Sequence, residues 1–241
     1  MTEFSYIGSE LEIFAQAKQW KSYYKSIISP FIGEQVLEVG AGIGATTAIL
    51  CDGGSKKWVC LEPDPQLKSV MDQSIQDGNL PVICNTCLGT IQSMEKEEKF
   101  DTILYIDVIE HIENDGLELD CAAKHLNPNG VLIVLSPAHE WLFTPFDQAI
   151  GHYRRYSKKT LSAITPENCR LEKLLYLDSA GILLSTANRL LLRQNMPTSK
   201  QIKFWDQRIV PISKILDPML NFSLGKSIVG IWRRFPARVE S

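Results

Sequence analysis

The chain has no long hydrophobic run. Nowhere does it approach the roughly 18–20 consecutive apolar residues needed to cross a bilayer, which argues against a membrane-spanning protein. No apolar leader opens it either; the first residues are acidic and aromatic, so a soluble, cytoplasmic protein is expected. Cysteine is sparse and scattered, at positions 51, 60, 84, 87, 121 and 169, without the loop spacing of a disulfide framework. Cys84 and Cys87 form a C-x-x-C with no second pair to complete a zinc site, and on a strand they would point to opposite faces. Internal repeats and low-complexity tracts are also absent. With 241 residues and 44% hydrophobic content, one elaborated domain over residues 1–241 is the simplest expectation.

What is present begins at residues 36–44, Val-Leu-Glu-Val-Gly-Ala-Gly-Ile-Gly. A short apolar strand runs into glycines at 40, 42 and 44, which let the backbone turn sharply and approach a ligand where a Cβ would collide. The Ala-Thr-Thr-Ala-Ile-Leu that follows is expected to open a helix whose N-terminal amides face that ligand. Alone, the loop is weak evidence: Gly40, Gly42 and Ala45 also satisfy the relaxed fingerprint of a dehydrogenase. Lys57–Glu62 reads as a second buried strand, ending about twenty residues after the glycines in a carboxylate placed to grip a ribose diol. Further strands are expected at Leu80–Cys84, Phe100–Asp107, Val131–Leu135, Arg170–Leu177 and Ser227–Trp232. Strands alternating with helical stretches imply an α/β fold around a parallel sheet. Phe14–Ile28 carries apolar residues at helical spacing and predicts one amphipathic helix, part of an N-terminal cap over residues 1–30.

Val36–Gly44, Leu61–Asp64, Asp101–His111 and Leu126–Pro137 match, in order and at the usual spacing, the motifs of class I S-adenosylmethionine-dependent methyltransferases. The chain resembles that family over about residues 20–178. The resemblance implies a Rossmann-like sheet, mostly parallel with the last strand antiparallel, helices on both faces, and an insertion over residues 179–223 before the final strand, serving as a lid or substrate-selecting element. It implies S-adenosylmethionine as cofactor. Gly40, Ala41, Gly42 and Gly44 would lie on its methionine and ribose side, Glu38 would orient the amino group or the loop, Glu62 would take the ribose hydroxyls, and Pro63 with Asp64 would flank the adenine. Where the family often sets an acidic residue against the adenine amino group, this chain has Gly89-Thr90, so backbone or hydroxyl would make that contact. The segment Trp141–Leu161 is similar to a bacterial group associated with glycan and secondary-metabolite pathways, and it supplies Trp141, Tyr153, Arg154, Arg155 and Tyr156 as candidate substrate residues.

The chemistry is expected at Asp107-Val-Ile-Glu110-His111. If the chain is helical there, positions 107, 110 and 111 share one face. The pattern resembles that of small-RNA 2′-O-methyltransferases and ubiquinone-pathway O-methyltransferases, in which the acidic pair and histidine hold a divalent metal with a further histidine downstream; His152 stands in the corresponding region. Asp107, Glu110, His111 and His152 are thus candidate ligands, and carboxylates favour hard ions such as Mg²⁺ or Mn²⁺. The alternative is His111 as an isolated general base near its ordinary pKa, with Asp107 and Glu110 orienting it or touching the cofactor. His139 is a reserve candidate. Either route implies an oxygen acceptor.

Three function classes follow: O-methylation of a small molecule or glycan, then 2′-O-methylation of an RNA end, then a nicotinamide-dependent oxidoreductase or a non-catalytic cofactor-binding module. Residues 1–150 hold 9 Lys and Arg against 22 Asp and Glu, and residues 151–241 hold 16 against 6. That division suggests an anionic partner, with substrate phosphate, a membrane surface and nucleic acid in that order, or else two parts that attract each other. The absence of a separate nucleic-acid domain and the acidic N-terminal part weigh against RNA. Leu183-Leu184 and Leu190–Leu192, with Arg189 and Arg193, would suit peripheral contact with a membrane. Oligomeric state is not legible.

Overall fold

The computed structural model describes residues 10–187 and 196–236. In chain order the elements are α1 (Glu10–Ala15), α2 (Lys18–Ile28), β1 (Gln35–Val39), α3 (Thr47–Leu50), β2 (Lys57–Glu62), α4 (Pro65–Gln76), β3 (Cys84–Leu88), β4 (Phe100–Ile106), α5 (Asp115–Lys124), β5 (Leu126–Pro137), α6 (Pro145–Ala149), α7 (Lys158–Ala163), β6 (Cys169–Leu177), α8 (Ser179–Ala187), α9 (Ser199–Phe204), α10 (Val210–Met219) and β7 (Ser227–Arg234). The seven strands form one sheet in the order β3-β2-β1-β4-β5-β7-β6. β1 to β5 pair in parallel, and β7 runs antiparallel between β5 and β6. The expected Rossmann-like sheet with an antiparallel last strand is therefore what the chain forms.

Each parallel strand is an apolar run because both of its faces are covered. In β1 the side chains alternate between two cores: Val36 packs on one side, Leu37 and Val39 on the other. β1 lies between β2 and β4, so the chain turns outward in opposite directions from its neighbouring strands. That switch point opens a crevice at the carboxyl ends of β1 and β4, where open α/β sheets bind ligands.

Three expected elements differ, each for a local reason. The strand foreseen at Leu80–Cys84 begins only at Cys84, because Pro81 has no N–H for the ladder and its carbonyl instead accepts from the Cys84 N–H at 3.0 Å. Cys84 and Cys87 do fall into opposite cores, with Cys84 Sγ 3.7 Å from Cys51 Sγ. The single helix expected over Phe14–Ile28 is broken into α1 and α2. Ala17 has no side-chain oxygen to cap α2, and the Asp206 carboxylate crosses the fold to accept from the Gln19 and Trp20 N–H groups at 3.2 and 2.9 Å. The third difference is the helix foreseen at 107–111. Asp107 adopts φ +55, which stops any helix there, and only a 3₁₀ turn, Ile109–His111, follows. Asp107 therefore does not share a helical face with Glu110 and His111.

The insertion is rooted in buried carboxylates. Asp217 of α10 accepts from Tyr23 Oη at 2.7 Å and from the Asp178 and Ser179 N–H groups at 2.7 and 2.9 Å, which ties α10 to α2 and to the end of β6. Asp178 accepts from Trp205 Nε1 at 2.7 Å and Ser213 Oγ at 2.5 Å. No helix among the described residues is long and apolar enough to cross a membrane. The leucines and arginines at 189–193 that suggested surface contact lie outside the described residues.

Glu38, buried beneath the glycine loop, accepts from Thr47 Oγ1 and Trp58 Nε1, both at 2.8 Å. Burial pushes its carboxyl up to about 7, against the pull of those two donors. Between an unfolded value of about 4.5 and the folded value, the native state holds the extra proton, so stability falls as pH rises across that window and levels off above it. Glu38→Gln should remove this dependence. Its unfolding free energy relative to the unsubstituted protein should rise by about 1–3 kcal/mol between mildly acidic and mildly alkaline pH. Denaturant titrations that stay parallel across that range would show that the Glu38 carboxyl is not perturbed.

Candidate active site

The crevice widens into a cavity of about 620 Å³. Gly40, Ala41 and Gly42 form part of its floor. Gly40 sits at φ +66, and a Cβ there would stand 2.7 Å from Val108 Cγ2, so the loop could not pass this close to the end of β4 with any other residue. Gly42 at φ +58 presents bare backbone to the cavity. Glu62, the ribose candidate, holds this loop in place: its carboxylate accepts from the Gly42 N–H at 2.8 Å and the Asp64 N–H at 3.0 Å. Burial raises its pKa, with those two amides opposing. Glu62, Pro63, Gly89 and Thr90 are not part of the cavity wall, and Glu38 serves the underside of the loop.

The opposite wall comes from the N-terminal cap and from the insertion. Trp20, Lys21 and Tyr24 of α2 and Ile202, Phe204 and Trp205 of the insertion line it, with Phe14 lying edge-on to Trp205 at 6.5 Å. Lys21 is almost fully buried; desolvation lowers its pKa, and its Nζ donates to the Phe14 carbonyl at 2.7 Å. Lys226 stands 3.7 Å over the Trp205 ring and 3.5 Å from Asp178. Asp107 opens to the cavity between the fields of these two cations, and enclosure by protein pushes its carboxyl upward while Lys21, His152 and Lys226 oppose.

The catalytic candidates converge in part. One ligand atom each from Glu110, His111 and His152 lies within 4.8 Å of the others, and Asp107 does not belong to this group. The left-handed turn at Asp107 separates it. His111 and His152 meet edge to face with ring centroids 4.5 Å apart, and His152 Nε2 stands 3.8 Å from Glu110 Oε1. Glu110 is fully buried. Its Oε2 accepts from Ser136 Oγ at 2.9 Å, whereas Oε1 has no hydrogen-bond partner among the described residues. Burial pushes its carboxyl up to about 7, with His152 opposing. His111 is pulled down to about 3 by burial and by its neighbour His152, which removes the expected base with an ordinary imidazole pKa: at neutral pH His111 is uncharged and a weak proton acceptor.

Of the five substrate candidates, only Arg155 lines the cavity. Tyr156 is buried with its hydroxyl on Asp115 at 2.7 Å, and Arg154 pairs with the same carboxylate at 2.8 Å, so both fasten the segment to the start of α5. Trp141 and Tyr153 are about half exposed and stand outside the cavity. His139, bonded to the Gly225 carbonyl at 3.0 Å, is also outside it.

Residues 15–185 match the family described as a methyltransferase domain. The chain belongs to that family. The family match, together with the sheet described above, makes it a class I S-adenosylmethionine-dependent methyltransferase and sets aside the oxidoreductase expectation. Among curated relatives it is 30% identical over 108 residues to the ubiquinone biosynthesis O-methyltransferase of Azorhizobium caulinodans, a match that covers 44% of this chain and 42% of that one. It is 25% identical over 139 residues to the mitochondrial ubiquinone biosynthesis O-methyltransferase of Dictyostelium discoideum, covering 54% and 42%. The matches thus span about two fifths of these relatives' length. In fold the methyltransferase is similar to coclaurine N-methyltransferase bound to N-methylheliamine and SAH (TM-score 0.62, 16% identity, 90% of this chain and 72% of that one). It is likewise similar to the N-methyltransferase NodS of Bradyrhizobium japonicum WM9 in complex with S-adenosyl-L-homocysteine (0.58, 14%, 91% and 87%). At these identities the likeness concerns the fold alone.

The loop geometry generates a direct test. Glu62→Ala removes the acceptor that holds Gly42 and Asp64, and titration calorimetry with S-adenosylhomocysteine should show binding weakened by about 1.5–3 kcal/mol. Unchanged affinity would separate Glu62 from the cofactor site.

Proposed function

We propose that this methyltransferase transfers the methyl group of S-adenosylmethionine to a hydroxyl of a small molecule or glycan, with a divalent cation, Mg²⁺ or Mn²⁺, held by Glu110, His111 and His152. The observation that carries the reading is Glu110 Oε1: a buried carboxylate oxygen without a donor, facing two imidazoles. Leaving such an atom unpaired costs about 1–3 kcal/mol or more. One carboxylate and two imidazoles form a donor set that suits a divalent metal and leaves coordination positions open. The names of the curated relatives, O-methyltransferases, point to the same acceptor atom.

The residues divide the work. Gly40, Ala41 and Gly42 offer bare backbone for the methionine end of the cofactor, and Lys21 and Asp107, of opposite charge on the same wall, suit its carboxylate and ammonium groups. The aromatic wall of α2 and the insertion keeps water out, and the insertion selects the acceptor. His111, neutral at the cavity edge, is suited to bind a cation and poorly suited to hold a proton. When bound, a divalent cation supplies the lowered pKa that a hydroxyl nucleophile requires. Alignment of that oxygen behind the methyl group accounts for the rest, because the sulfonium is already electrophilic.

Exhaustive chelation should abolish turnover while leaving S-adenosylhomocysteine affinity nearly unchanged, and Mg²⁺ or Mn²⁺ should restore the rate. His152→Ala should reproduce the chelated state. Candidate hydroxylated acceptors are screened by mass spectrometry for gain of one methyl group. Full turnover by the chelated enzyme would eliminate the cation, and methylation confined to amine acceptors would eliminate the hydroxyl.

A further inference from the structure

Asp147 gathers more donors than any catalytic candidate, although sequence reasoning gave it no role. It is fully buried at the third position of α6. Its Oδ2 accepts from Thr144 N–H and Thr144 Oγ1, both at 2.8 Å, and from one Arg155 terminal nitrogen at 3.0 Å. Its Oδ1 accepts from Arg155 Nε at 2.8 Å and faces His152 Nδ1 at 3.0 Å. Burial pushes the carboxyl upward, but the bonds from His152 and Arg155 outweigh it and hold Asp147 well below the usual carboxylate range. With Thr144 and Arg155 donating to both of its oxygens, Asp147 is held as an acceptor.

The consequence passes through the imidazole. We propose that Asp147 is a positioning residue: it holds His152 as the Nδ1–H tautomer and so keeps the Nε2 lone pair turned toward Glu110 Oε1. The reasoning needs only the two distances. A hydrogen bond at 3.0 Å to an ionised carboxylate requires the proton on Nδ1, and a neutral ring then has no proton on Nε2. Nε2 and Glu110 Oε1 stand 3.8 Å apart, too far for a hydrogen bond between them. Two acceptors facing each other in a buried site leave a place for a cation. With the other tautomer, Nε2 would turn a proton, not a lone pair, toward Oε1 and obstruct that place. Thr144 and Arg155 fix the carboxylate itself, so the imidazole is oriented by an anion that has nowhere to turn. The inference rests on the cation reading of Glu110, His111 and His152, and the tautomer is measured without any metal.

The test is a long-range ¹H–¹⁵N correlation spectrum of the metal-free, full-length protein at mildly alkaline pH, with the His152 ring assigned from a His152→Gln sample. Wild-type His152 should show the Nδ1–H pattern. Asp147→Asn keeps an oxygen for Thr144 and the Arg155 terminal nitrogen, gives up the Arg155 Nε bond, and presents an amide that can donate to Nδ1; it should turn the ring to Nε2–H, as an Asp-to-Asn change beside a catalytic histidine does in serine proteases. Mn²⁺ affinity, read by electron paramagnetic resonance, should drop about 10–100-fold in that variant, while S-adenosylhomocysteine affinity stays unchanged. A wild-type ring protonated on Nε2 would overturn the proposal even if the variant did not fold, as would an unaltered tautomer in Asp147→Asn. The expected tautomers with no Mn²⁺ binding in either protein would support Asp147 as the orienting group and defeat the cation reading alone.

Discussion

Carboxylates removed from water hold the cavity together. Asp206 caps α2 from 187 residues away along the chain, Asp217 joins α2 to the end of β6, and Asp178 anchors the Trp205 indole that forms part of the cavity wall. Each is more than nine-tenths buried. A buried carboxylate is tolerated only where donors saturate it, so these three cannot be satisfied unless the N-terminal helices, the insertion and the sheet are all in place. The enclosure of the cavity and the burial of the acids are therefore one event. The aromatic packing of Phe14, Trp20 and Trp205 adds area, but apolar contact is non-directional and would accept many arrangements. The carboxylates restrict the insertion to one.

This explains which parts were legible in the sequence. β1, its glycine loop and Glu62 are consecutive or about twenty residues apart, and each signals locally: apolar runs read as strands, and glycines read as close backbone approach. The sheet and the glycine loop at its switch point followed. The other half joins residues with no sequence proximity, such as Lys21 with Lys226 around Asp107, or Asp147 with His152 and Arg155 beneath Glu110. An aspartate in contact with a buried histidine looks in sequence like any helix-capping aspartate, and Asp147 is also that, closing a capping box with Thr144. The left-handed turn at Asp107 was invisible for a different reason. Aspartate tolerates φ > 0 better than most residues, yet nothing about Ile-Asp-Val announces it, and the helix expected there was the reasonable default. The GHYRRY segment failed in the opposite way: its conspicuous aromatics and charges are mostly fasteners, and only Arg155 and His152 reach the cavity.

The charge division along the chain has a partly internal explanation. Arg154 pairs with Asp115 and Arg155 with Asp147, each joining a base of the C-terminal part to an acid of the N-terminal part, and Lys226 acts on Asp107 across the cavity. The Arg155–Asp147 pair is largely removed from water, so it is screened less than a surface pair and contributes to holding the two parts in register. The pairings also set the character of the cavity. Arg155 is paired with Asp147 and Lys226 stands beside Asp178, whereas Glu110 Oε1 has no donor among the described residues. The pairings of Arg154, Arg155 and Lys226 account for only part of the excess of 16 Lys and Arg over 6 Asp and Glu in residues 151–241. The unpaired atom sits at the end of a chain in which Arg155 and Thr144 fix Asp147, Asp147 meets His152, and His152 faces Glu110. Charge is matched link by link until the last one, and that mismatch is the observation on which the proposed cation rests.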